Sequence, residues 1–146
     1  MKLLITNKFS LAAVWNTLRQ TPPREFTTYD EIEKVKEIIA LLKTQVEDYV
    51  EFISANDVNK TRYSEGKVND EEYRTIIGEQ NKKANQLDQT AKAVDVNLEI
   101  EDGLFNKLFD LFNKLGKFWF NNIDEYIGFK NSLDEANNRP KEQPKE

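Results

Sequence analysis

Residues 28 to 55, TYDEIEKVKEIIALLKTQVEDYVEFISA, decide the fold class. Ile32, Val35, Ile39, Leu42, Val46, Tyr49 and Ile53 alternate by three and four, with Glu, Lys and Asp between them. That spacing is a heptad seam along one side of a helix, which the period of two in a strand does not produce. Thr28 and Glu31 form a capping-box pattern, in which hydroxyl and carboxylate satisfy two orphan amides at a helix start. The spacing predicts one helix running to about Ala55, roughly 40 Å long at 1.5 Å per residue. Such a rod needs neighbours along its length, either within its own chain as a bundle or in another copy as a coiled coil.

Upstream, Leu3 to Ile5 reads as a short extended piece. Ser10 offers a cap for a helix to about Arg19 that turns Leu11, Val14, Trp15 and Leu18 to one side. Pro22 and Pro23 end it, because proline has no amide to continue the ladder and constrains the residue before it. Downstream, residues 56 to 69, NDVNKTRYSEGKVN, read as a polar loop with Gly66 at a left-handed turn. Asn69 and Glu72 repeat the capping pattern and open a third helix to about Ala93, antiparallel to the long one. Its stripe is Tyr73, Ile77, Gln80, Ala84, Leu87, Ala91 and Val94, a seam of small and polar members. Val94, Val96, Leu98 and Ile100 then alternate with polar residues at the strand period. The only mate is Leu3 to Ile5, so these segments either pair as a two-stranded element or serve as extended connectors.

The second greasy stretch is residues 104 to 120, LFNKLFDLFNKLGKFWF. On a helical wheel its large apolar side chains share an arc about 200° wide, twice the stripe an ordinary surface helix shows. A face that wide has more than one neighbour. Two helices of the same chain can clasp it, part of it can dock another protein, or it can lie at a bilayer interface with Lys107, Lys114 and Lys117 on the polar side. The expected docking residues are Phe105, Phe109, Phe112, Phe118, Trp119 and Phe120. Gly116, inside the arc, marks either a close helix–helix approach or a kink. The helix is expected to break near Asn121 and restart behind Asn122 and Glu125, burying Ile123, Tyr126, Ile127, Phe129 and Leu133. Residues 137–146 form a polar, Pro-containing tail expected to be disordered.

Composition narrows the chemistry. The chain of 146 residues suits one domain, and its 38% apolar and 32% charged content keeps it among globular rather than disordered sequences. A net charge of −5 without a basic block disfavours nucleic acid, whose binding depends on phosphate neutralisation. There is no Cys and no His, so thiolate nucleophiles, disulfides, Cys-ligated metals and the commonest general base are all missing. No cofactor or metal is inferred. The acidic runs Asp30-Glu31-Glu33 and Asp70-Glu71-Glu72 fall at helix starts, where they complement the helix dipole. The five glycines, at 66, 78, 103, 116 and 128, are too scattered for a phosphate loop. The opening MKLLITNKFSLAAVWNTL is broken by Thr6, Asn7 and Lys8, so it reads as part of the fold rather than a signal peptide. The expected location is the cytoplasm.

The pattern Ile5-x-Asn7-x-x-x-Leu11 with its short helix, the long charged helix with a late Tyr or Phe, Gly66, and a third helix leading into VNLEI together resemble a family of small uncharacterised proteins of tailed phages and prophages of Gram-positive bacteria. The likeness covers residues 1 to about 101 and brings no functional residue with it. It implies a small non-enzymatic phage protein, virion-associated or acting on a host component.

The sequence thus points to an all-α bundle of about five helices over residues 1–136, elongated, with two long antiparallel helices and at most a minor two-stranded β element. The expected function is protein–protein interaction through the aromatic helical face, without catalysis. The alternatives are a homo-oligomer packed through the seam of Ile32, Val35, Ile39, Leu42, Val46, Tyr49 and Ile53, and a membrane-surface protein.

Overall fold

A computed structural model describes residues 2–138 of the chain. In order, the elements are β1 (Lys2–Asn7), α1 (Lys8–Gln20), α2 (Tyr29–Lys43), α3 (Glu47–Ser64), α4 (Asp70–Lys92), β2 (Asp95–Ile100), α5 (Asp102–Leu115) and α6 (Ile123–Asn138). Short 3-10 turns at Pro23–Glu25 and Gly116–Phe118 complete the path. The fold is all-α with a minor β element. Helix α6 passes the boundary expected at residue 136, and residues 139–146, which hold the rest of the expected tail, lie outside the described residues.

The two strands do pair. They run antiparallel with Leu4 opposite Leu98 and Lys2 opposite Ile100. Leu4, Thr6, Leu98 and Ile100 face inward and are buried, while Leu3, Ile5, Asn97 and Glu99 face out. A lone pair of strands is marginal in water, and here α6 lies beside β1 while α1 follows it directly. Asn7, rather than Ser10, caps α1 by accepting the Ser10 amide at 2.7 Å. The helix then buries Leu11, Val14, Trp15 and Leu18 as its spacing requires.

The expected single helix from Thr28 to Ala55 is two. Its start is as the cap pattern predicts: the Thr28 hydroxyl accepts the Glu31 amide at 3.1 Å, and the Glu31 carboxylate accepts the Thr27 amide at 2.7 Å. After Lys43 the ladder tightens to three-residue steps, with the Gln45 amide on the Leu42 carbonyl and the Val46 amide on that of Lys43. The Thr44 hydroxyl donates back to the Leu41 carbonyl, a local bond that competes with helix continuation. Val46, fully buried, ends the turn at φ −131°, and Glu47 and Asp48 supply the acidic first turn of α3. The break redirects the seam. On α2 the buried stripe is Val35, Ile38 and Leu42, so Ile38, outside the heptad, replaces Ile39, which is only partly buried. Ile32, Tyr49 and Ile53 are likewise half-buried.

The expected loop at 56–69 is also corrected, since α3 runs through it to Ser64. Gly66 sits at φ +75° just past the helix end, not in mid-loop. Its amide bonds the Tyr63 carbonyl and the Lys67 amide bonds that of Arg62, the two bonds of a Schellman ending. Five residues on from Glu65 the chain is already in α4, opened by a full capping box between Asn69 and Glu72. The hairpin α3–α4 is therefore antiparallel, held near its tip by Tyr63 stacked on Tyr73 at 4.1 Å and near its base by the Tyr49 hydroxyl donating to Asp88 at 2.8 Å. At 1.5 Å per residue its helices are about 27 and 35 Å long.

Candidate interaction surfaces

The six aromatic residues expected to dock a partner divide three ways. Phe105, Phe112 and Trp119 are sealed in the core, Phe109 and Phe120 pack against it with one edge in water, and Phe118 alone is open, at 68% exposure. The cause is that the helix stops early. Only residues up to Leu115 follow the wheel, and the 3-10 turn at Gly116–Phe118 leaves Phe118 in water while Trp119 returns to the core. Gly116 stands where α5 gives way to the 3-10 turn, and the atoms nearest its Cβ position belong to Phe112 of its own helix rather than to a second helix. A Cβ there would stand 2.5 Å from the Phe112 ring, which is itself boxed in by Trp119 at 5.9 Å, Tyr126 at 5.0 Å and Phe129 at 5.8 Å between centroids. Phe129, on α6, also meets Trp119 and Phe120. Its helix begins where the sequence places it, with the Asn122 side chain accepting the Glu125 amide at 2.9 Å. The aromatic stretch is thus spent on joining α5 to α6. The indole N–H groups of Trp15 and Trp119 are buried without an acceptor among the described residues.

Beside Phe118 the surface opens into a groove of about 480 Å³. Leu115 and Trp119 line one part of it, and Thr17, Thr21, Pro22 and Glu25 the other. The proline strap between α1 and α2 makes this groove, and no sequence pattern announces it: prolines chosen to stop a helix also leave a wall. Lys114 holds the strap by donating to the Glu25 carbonyl and by standing over the Phe26 ring.

The other surface is the hairpin. Along α3 no residue is fully buried, and along α4 only Ala91 is. Val58 is 59% and Ile77 37% exposed. In the seam the Gln80 amide nitrogen is buried with no acceptor among the described residues. At the base, Lys8 on α1 bonds Asp48 and holds its carboxyl below the usual aspartate range, and burial with the Asp88 bond pushes the Tyr49 phenol up. In the body, Lys107 on α5 reaches Glu31 on α2, and this bond, helped by the Thr27 amide, lowers the Glu31 carboxyl from its ordinary 4.5.

Among the described residues no group of three carboxylates gathers to hold a metal. Among them, too, no helix is long and apolar enough to cross a membrane. No family model, curated protein or solved structure matches this chain. The surfaces must be judged on their own chemistry.

Proposed function

We propose that this protein is a non-catalytic interaction module whose α3–α4 hairpin engages a protein partner. The supporting observation is that 41 residues of helix contribute one fully buried side chain, yet both ends of their turn are capped and stacked. Ordering that much chain outside the core costs conformational entropy, and a long exposed helical face is what helix-in-groove and helix-on-helix recognition uses. Val58 on α3 and Ile77 on α4 are exposed apolar side chains of the hairpin, set among charges of both signs that favour a specific orientation. The resemblance to phage proteins suggests a host or virion component as partner, in the cytoplasm or on the particle. The seam alternative is weaker, because Val35, Leu42 and Val46 are fully used inside the chain.

The test is affinity capture with three baits of verified helicity: wild type, Val58→Glu with Ile77→Glu, and Phe118→Glu. The expected result is a protein held by wild type and by Phe118→Glu but lost with the hairpin variant. Equal capture by all three baits removes the hairpin from the account.

A further inference from the structure

The groove beside Phe118 carries a separate conclusion, because a knob and a hole lie side by side on one surface. Phe118 is the ring the aromatic stretch leaves in water, and the groove it borders has room for another ring. The charges follow the same division. Lys117 stands 5.2 Å from the Phe118 ring centre and makes no ion pair among the described residues. Glu25 lines the groove, and its carboxylate makes no ion pair among the described residues, Lys114 being bound to its backbone carbonyl instead. The knob therefore carries an unpaired cation at its base and the hole an unpaired carboxylate at its wall.

A surface holding both halves of a complementary pair meets the condition for a closed two-fold dimer, in which each residue meets its counterpart's partner reciprocally. We propose that this face binds a second copy of the chain: Phe118 of each protomer enters the groove of the other, and Lys117 of each pairs with Glu25 of the other. Ile123, 73% exposed, follows within about 18 Å of chain. A patch centred on one ring and one ion pair per protomer fits weak association, in the micromolar range or above.

Sedimentation equilibrium of the full chain, up to about 500 µM, tests this. Wild type should dimerise, and Phe118→Ala should raise the dissociation constant at least about tenfold. Glu25→Lys and Lys117→Glu should each weaken it, and the two together should restore it to within about threefold of wild type, because the swapped charges again attract across the two-fold. All three positions are at or near the surface, and circular dichroism verifies that each variant is folded. A wild type that stays monomeric over the whole range overturns the proposal. So does a dimer indifferent to Phe118→Ala, or a double swap no better than the single ones. None of these outcomes bears on the hairpin, whose variants leave this face intact.

Discussion

The body and the hairpin are both helical, but different forces hold them. In the body, α1, α2, α5, α6 and the strand pair enclose a core in which Phe105, Phe129, Leu11, Leu18, Ile38, Leu108 and Leu133 are at most 1% exposed. In the hairpin, order comes from the ends: a Schellman turn, a capping box, one stacked tyrosine pair and a tyrosine–aspartate bond. Burial is a sum over many contacts, so a body residue acts on the whole fold. Caps and turns are local, each worth about 1 kcal/mol, and act on the element they close. The same chain thus carries one region stabilised by packing and one by termini.

The largest expected effect is in the body. Phe129→Ala removes the ring that touches Phe112, Trp119 and Phe120, and should cost about 3–5 kcal/mol by thermal or urea unfolding. Next is Gly116→Ala, whose methyl meets a Phe112 ring that has no free direction to turn; a loss of about 1–3 kcal/mol is expected. An unchanged midpoint there means the cluster is looser than its distances imply. In the hairpin, Gly66→Ala puts a Cβ on a residue at φ +75° and should cost about 1 kcal/mol. Amide exchange should register it within α3 and α4 while the core amides keep their protection. If the core loosens equally, the two regions are one cooperative unit.

The smallest effect is a pH dependence. The Glu31 carboxyl is lowered in the folded state, so its bond to Lys107 stabilises the body above the ordinary carboxylate value of 4.5 and is lost as pH falls through the lowered one. Glu31→Gln should therefore cost up to about 1 kcal/mol near neutral pH and flatten the acid limb, so the two proteins converge at low pH. Denaturant titrations from pH 7 to about pH 3 measure this. Parallel curves would mean Glu31 titrates alike in both states.

These contrasts explain what the sequence could and could not reveal. Caps were legible because their chemistry is local: Thr28 with Glu31, Asn69 with Glu72 and Asn122 before α6 all serve helix starts. The strands were legible through their alternation. The break at Thr44 was not, because the three-four spacing of apolar residues continues across it and no glycine or proline marks it. There the decision lies with Val46, drawn into the body's core, and that is a tertiary choice. Gly66 was legible as a left-handed residue but not as the end of a long helix, since the polar faces of α3 resemble a loop when few of its side chains are buried. The wheel of residues 104 to 120 overstated the docking face for the opposite reason. It assumed one helix to Phe120, whereas α5 ends at Leu115, and it could not see that α6 would claim the rings.

Residue-resolved hydrogen exchange under native conditions tests the division most directly. Amides of α5 and α6 should exchange only through global unfolding, and those of α3 beyond Tyr49 and of α4 before Asp88 through a separate opening of lower free energy. One common free energy across all six helices would contradict it.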